Sequence, residues 1–172
     1  MKRGIVITTH KSTKPFFDDL IKSLKDCKYP ICIVDNTEIN HFEKGGLLVG
    51  MKNFDEFIYL HDTVIIKNLE LFDILFSKEG FYSISPGFLM YLGKYDSKKL
   101  STLNLPSVNS KYDAILMELW LKHNIPCDCF DKTFIDGNHR FEERHGRKNM
   151  VLENDYLIKY KGTWDINMVK VE

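Results

Sequence analysis

The opening stretch constrains the fold more than any other. Gly4 to Thr9, GIVITT, is a run of β-branched residues closed by a polar turn, and it reads as a buried strand. Pro15 to Cys27 follows, with Phe16, Phe17, Leu20, Ile21, Leu24 and Cys27 at helical spacing. Ser12 or Thr13 is placed to cap that helix, and Pro15 is tolerated in a first turn, where its missing N–H would have no intrahelical partner. Pro30 to Val34, PICIV, is a second apolar strand and runs into Asp35-Asn36-Thr37. A helical crossover of this length joins two parallel strands. Open parallel sheets bind ligands beyond the carboxyl ends of their strands, so Thr8, Thr9 and His10 are expected at one edge with Asp35, Asn36 and Thr37.

A third stretch, Phe57 to Asn68, FIYLHDTVIIKN, has the same logic with a sharper break. The apolar run stops at His61-Asp62-Thr63, and Val64-Ile65-Ile66 resumes at once, which puts Asp62 between two extended segments. A carboxylate at the end of a buried strand suits Mg²⁺ or Mn²⁺, which take one or two protein carboxylates and fill their remaining positions with water and phosphate oxygens. A plain turn role for Asp62 is the competing reading.

Elsewhere the pattern is coarser. Gly45, Gly46 and Gly50 surround Leu47, Leu48, Val49 and Met51, which reads as a short helix entered through the glycine pair or as a flexible loop; in the first case Gly46 would let the backbone approach a ligand. Asn68 is placed to cap a helix whose Leu69, Leu71, Phe72, Ile74, Leu75 and Phe76 are apolar nearly all round. Gly80 to Tyr95 suggests two extended segments about Pro86-Gly87. Lys98 to Asn109 reads as an irregular polar loop, and Ser110 as the cap of a helix through His123 that buries Tyr112, Ile115, Leu116, Leu119 and Trp120. Ile125 to Phe130 is a last short strand, and residues 131–172 carry paired functional groups rather than long apolar runs.

The chain of 172 residues has the length of one domain, and 24 acidic against 24 basic residues give no global charge that would recruit nucleic acid or a membrane surface. No signal peptide is visible at the N-terminus, and no apolar run nears the roughly 20 residues that span a bilayer. A cytoplasmic protein is the expectation. Cys27, Cys32, Cys127 and Cys129 fit it as reduced thiols, without the C-x-x-C spacing of a zinc site.

Taken together, IVITTH, the VDNTE turn, the LHDT turn and the tail segment RHGRKNMVLEN before KYKGTW resemble the GT-A nucleotide-sugar glycosyltransferases, in a compact form similar to family 2. The resemblance covers most of the chain to about Trp164. It implies a single-domain α/β fold of the Rossmann-like GT-A type, with a mixed, mainly parallel sheet flanked by helices. Residues 1–68 would form the nucleotide and metal half, 69–130 the acceptor half and 131–172 a closing segment. By the same resemblance Asp35 contacts the base or ribose with help from Thr8, Thr9, His10, Asn36 and Thr37. Asp62 would hold Mn²⁺ or Mg²⁺ with His61 and His145, and Arg147 and Lys148 would assist the diphosphate, with His139 and Arg144 as further candidates. The turn departs from the family's Asp-x-Asp, supplying one acid where two are usual, which leaves open a metal-independent enzyme or a metal held mainly by the donor diphosphate.

An inverting enzyme of this type takes its base from the helix after the acceptor loop, here Asp113 with Glu118 farther along. Ser110-x-x-Asp113 is also a capping-box pattern, and that alternative stays open. The implied activity is transfer of a sugar, from a UDP-sugar by preference, to a glycan or other hydroxyl acceptor. A homo-oligomer could complete the acceptor side, with Tyr156, Tyr160 and Trp164 as interface or core residues. Two other functions fit parts of the chain: a metal-dependent nuclease using Asp136, Asn138, His139, His145 and Asn149, and a non-catalytic nucleotide-sugar binder. A nucleotidyltransferase is disfavoured, because THKSTKP after the first strand has no glycine.

Overall fold

A computed structural model describes residues 1–37, 42–84, 89, 91–109, 111–129 and 150–160. Strand β1 (Arg3–Thr9) leads through a 3-10 turn (Lys11–Thr13) into α1 (Lys14–Ser23), and β2 (Ile31–Asp35) follows. Then come α2 (Phe42–Asn53), β3 (Glu56–His61), β4 (Val64–Ile66), α3 (Glu70–Phe76), β5 (Tyr82–Ser83), β6 (Leu92–Asp96), α4 (Ser97–Ser101), α5 (Lys111–Asn124), β7 (Asp128–Cys129), β8 (Met150–Glu153) and β9 (Leu157–Tyr160).

The fold is mixed α/β, as expected. Six strands form one sheet in the order β2-β1-β3-β6-β5-β7, with β1 parallel to both β2 and β3, β5 parallel to β7, and β6 antiparallel to its two neighbours. Strand alternation sorts the core into two layers. Ile5, Ile7, Ile58 and Leu60 face Leu20 of α1 and Leu71, Phe72, Leu75 and Phe76 of α3. Val6, Phe57 and Tyr59 face Leu47 of α2 and Met117 and Leu121 of α5. Because α1 and α2 leave on opposite faces, the chain reverses its winding between β1 and β3, and such a switch point opens a crevice at the carboxyl ends of the strands.

Several expectations need correction. The first helix ends at Ser23, short of Cys27. Helix α2 starts at Phe42, so the glycine pair lies inside it rather than at its entrance. What approaches Gly46 closely is the protein itself: a Cβ there would lie 2.6 Å from Tyr59 Cε2 and 2.7 Å from Thr8 Cγ2. Residues 97–101 of the polar stretch form α4, capped by Asp96, whose side chain accepts from Lys99 N. Among the described side chains of α5, Met117 and Leu121 are buried and Trp120 packs partly buried against the core, as expected, whereas Leu116 and Leu119 are exposed at 42% and 47%. The alternative stripe won because it meets Phe57 and Tyr95 across the sheet. The tail holds an element that the apolar pattern hides: β8 and β9 pair with each other, and β9 pairs antiparallel with β4, making a separate three-stranded sheet. Pro86-Gly87 and Trp164 lie outside the described residues.

Other expectations hold. Asn68 stands one residue before Leu69, the N-cap of α3, and its Oδ1 accepts from Glu70 N at 2.9 Å. The four cysteines are free thiols. No helix of the described residues is long and apolar enough to cross a membrane. Tyr156 packs partly buried against the core, and the Tyr160 ring lies 5.4 Å from that of Phe16.

Candidate functional site

The site is built where β1, β2 and β3 end. Strand registers set Thr8 beside His61 on one side and Thr9 beside Asp35 on the other. Asn36 N donates to Thr9 O at 2.9 Å, and Lys11 N donates to Thr37 Oγ1 at 3.1 Å, so the two polar turns are laced together. Asp35 is exposed, and its Oδ1 accepts from Thr37 N at 2.8 Å. Hydrogen bonds from Thr37, more than the nearby His10, hold its pKa below the usual carboxylate range despite some opposing desolvation. Thr8, Thr9, His10, Asn36, Asp62 and His61 are all buried at this edge.

Asp62 occupies the point where the chain leaves the large sheet and enters the small one. With Thr63 it forms the two-residue turn between β3 and β4, and both residues are completely buried. Its Oδ2 accepts from His10 N at 3.3 Å and from the Thr13 hydroxyl in a short bond. Its Oδ1 has no hydrogen-bond partner among the described residues. His61 Nδ1 stands 3.1 Å from Oδ1, as an ion pair when the imidazole is protonated, and 3.0 Å from Thr63 Oγ1. Burial pushes the Asp62 pKa up. The charge of the adjacent His61 and hydrogen bonding from His61, Thr13 and Thr9 outweigh it, so the carboxyl is held below its ordinary value.

A buried carboxylate oxygen left without a donor is costly, and it is the lone pair a hard cation would use. The donor set therefore fits Mg²⁺ or Mn²⁺ bound through one oxygen, the other being committed to His10 and Thr13. Among the described residues no group of three or more His, Cys, Asp and Glu side chains gathers into a metal cluster, so water and substrate oxygens would have to complete such a shell.

Residues that sequence reasoning passed over surround the turn. Tyr59 of β3 takes up the hydroxyl of Thr8 in a short hydrogen bond. Glu43 of α2 faces the cluster; burial raises its pKa, His61 and Lys159 pull it down and Asp62 pushes it up. Lys159 of β9, exposed by only 4%, reaches across from the small sheet to donate to Thr63 Oγ1 in a short bond and to Tyr160 O at 2.6 Å. Its ammonium also lies 4.8 Å from the centroid of the Tyr91 ring. A signal for Lys159 was present in the alternation of YLIKY, where it shares the inward face with Leu157.

Asp113 makes a local contact, and the remaining candidates are not described. Asp113, in the first turn of α5, accepts from Asn109 N at 3.0 Å, a bond of the kind that caps a helix start. The side chain of Glu118 and all of His139, Arg144, His145, Arg147 and Lys148 lie outside the described residues, as do Asp136, Asn138 and Asn149.

No protein-family model matches the chain, and no curated protein matches it either. Solved structures similar to it include a glycosyltransferase involved in the glycosylation of the major capsid of PBCV-1, at 9% identity and a TM-score of 0.44, covering 73% of this chain and 69% of that one. The catalytic domain of Drosophila β1,4-galactosyltransferase 7 in complex with xylobiose aligns at 10% identity and a TM-score of 0.42, over 98% of this chain and 97% of that one. A mutant of the same enzyme in complex with manganese, UDP-Gal and xylobiose aligns at 10% identity and a TM-score of 0.42, over 98% of both chains.

Proposed function

We propose that the chain is a GT-A glycosyltransferase that moves a sugar from a nucleotide-diphosphate donor, UDP-linked by preference, to the hydroxyl of a glycan or other acceptor. The observation that carries this reading is Asp62: a fully buried carboxylate at the switch point of the sheet, with one oxygen fixed by His10 and Thr13 and the other lacking a donor among the described residues.

In this reading the nucleoside lies over the ends of β1 and β2. Asp35, kept ionised by Thr37, accepts from the base or ribose, and the laced turns of Thr8 to His10 and Asn36 to Thr37 give that carboxylate a rigid seat. A divalent cation held through Asp62 Oδ1 would supply Lewis-acid neutralisation of the departing diphosphate. The acceptor oxygen forms its bond to the anomeric carbon as the bond from that carbon to the diphosphate oxygen breaks. In an inverting transfer the acceptor's proton passes to a carboxylate, for which Asp113 is the candidate among side chains the structure describes.

The test is a thermal-shift panel of UDP-, GDP-, CMP- and dTDP-sugars with and without Mn²⁺, followed by an assay of donor hydrolysis. One nucleotide should stabilise the protein, and Asp62→Ala should remove the Mn²⁺-dependent part of that stabilisation. Asp113→Asn should leave donor binding intact and abolish turnover if Asp113 is the base. No response to any nucleotide, together with cleavage of DNA or RNA, would replace the reading with the nuclease.

A further inference from the structure

We infer that Thr13 is a positioning residue that makes Asp62 a one-oxygen ligand, and that it thereby biases the candidate site toward Mn²⁺ or Mg²⁺ and against Ca²⁺. The inference rests on the reading of Asp62 as the carboxylate that holds the cation.

An ionised carboxylate offers about four lone-pair sites, two on each oxygen. On Asp62 both sites of Oδ2 meet donors of the protein: His10 N at 3.3 Å and the Thr13 hydroxyl in a short bond. Hydrogen bonding from Thr9 reaches the same carboxyl, and His61 Nδ1 stands 3.1 Å from Oδ1, yet Oδ1 keeps no hydrogen-bond partner among the described residues. The two oxygens are therefore unequal. Ca²⁺ accepts a carboxylate through one oxygen or both in a flexible shell, whereas Mg²⁺ demands a near-ideal octahedron, which the short bite of a chelating carboxylate does not match. Fixing Oδ2 removes the chelating mode and with it an advantage that only the larger ion could use.

Of the two donors on Oδ2, one belongs to the backbone and the other to a side chain that has no second task. Thr13 occupies the N-cap position of α1, where a threonine hydroxyl ordinarily accepts from an N–H of the first helical turn. Here it makes no such bond. Its Oγ1 lies 2.8 Å from His10 O as well as against Asp62, but it has one proton to give, and His10 O already receives Thr13 N at 2.9 Å. A carboxylate oxygen is the stronger acceptor, so the proton goes to Asp62. The 3-10 turn that carries Thr13 is itself tied down, with His10 Nδ1 accepting from Ser12 N at 3.1 Å and Lys11 N donating to Thr37 Oγ1. Thr13 is 1% exposed, which leaves its place at Oδ2 closed to bulk water.

The experiment follows Mn²⁺ binding to the full chain by electron paramagnetic resonance at one pH, with the metal alone and with UDP or GDP added, and then displaces the ion with Ca²⁺. Asp62→Ala should abolish the binding, which assigns the ion to this carboxylate. Displacement from the wild type should need a large excess of Ca²⁺. Thr13→Val, which keeps the shape and removes the hydroxyl, should lower that excess roughly tenfold, the order of one interaction with a charged group, while changing Mn²⁺ affinity much less. Thr13→Ala should do the same should the valine variant fail to fold, and Thr13→Ser should need the wild-type excess. Equal weakening of Mn²⁺ and Ca²⁺ in the variants without the hydroxyl would mark Thr13 as structural and overturn the inference. So would an unchanged ratio of the two ions, a serine variant that behaves as the valine one does, or a wild type that holds Ca²⁺ as tightly as Mn²⁺. Absence of Mn²⁺ binding under every condition, or binding that survives in Asp62→Ala, would remove the Asp62 metal reading itself.

Discussion

Substituting Gly46 by alanine tests how α2 sits on the sheet beneath the candidate site. In an isolated helix interior the change would stabilise by about 1 kcal/mol, because alanine loses less backbone entropy. Here the added Cβ would lie 2.6 Å from Tyr59 Cε2, 2.7 Å from Thr8 Cγ2 and 3.0 Å from Tyr59 Cδ2. Tyr59 is completely buried and tied to Thr8 by its hydroxyl, so neither neighbour can yield without disturbing the strand ends. Overpacking of this kind costs about 1–3 kcal/mol, and contacts this short belong at its upper end. The net expectation is a loss of about 1–2 kcal/mol, or a melting temperature about 2–8 °C lower for a domain of this size. Thermal and urea unfolding followed by circular dichroism would measure it. Thr8→Ser keeps the hydroxyl and deletes the methyl at 2.7 Å, so in that background the cost of Gly46→Ala should shrink by roughly 0.5 kcal/mol or more. An alanine variant as stable as the parent, or more so, would refute the close seating of α2 on β1 and β3.

Glu56→Gln should be far more damaging than a surface change. Lys94 is completely buried, and its ammonium pairs with Glu56 and donates to Lys78 O at 3.1 Å, while Arg3 Nε lies 2.9 Å from the other Glu56 oxygen. Leaving that ammonium without its carboxylate should cost about 3 kcal/mol in urea unfolding, and replacing both Lys94 and Glu56 by apolar residues should recover most of it. Burial, with Cys129 and Asp128 nearby, pushes the Cys127 thiol up to about 12. It should therefore alkylate much more slowly at pH 8 than a free cysteine, by mass spectrometry of iodoacetamide-treated protein. The folded pKa lies above the unfolded one, so this contribution to stability is fully present below about pH 9 and is lost as pH rises through 12. Burial and the Asp73 carboxylate likewise raise Tyr29 to about 12, so Asp73→Asn should shift its ultraviolet titration toward the ordinary phenol range.

The legible part of the fold was the part coded by consecutive residues. Strands β1, β2 and β3 are apolar runs ended by polar triplets, and that punctuation alone locates Thr8 to His10, Asp35 to Thr37 and Asp62 on one edge. Helix α5 turns Trp120 inward as its spacing suggests but Leu116 and Leu119 outward, because its apolar residues go round most of its surface and two sets at i, i+4 spacing compete. Only the sheet it packs against chooses Met117 and Leu121. Gly46 was read as an opening toward a ligand because a sequence does not show which large side chain will cross it. Lys159 was missed for a different reason. Its strand is four residues long, and its partner β4 lies at a distance along the chain that periodicity does not reach.

That distance has a kinetic meaning. The Asp62 turn takes its hydrogen bonds from Thr13, 49 residues away, and from Lys159, 96 residues away on the other side of Thr63. Closing a loop of the larger size costs roughly 4 kcal/mol of chain entropy, which the short β4 to β9 pairing must offset. Contacts so remote in sequence form late, after the local crossovers have assembled the large sheet. In a refolding experiment with pulsed hydrogen exchange, protection of the β1 to β3 amides should therefore run ahead of protection of the β9 amides. The interval between them is the time the chain needs to bring its lysine to the turn.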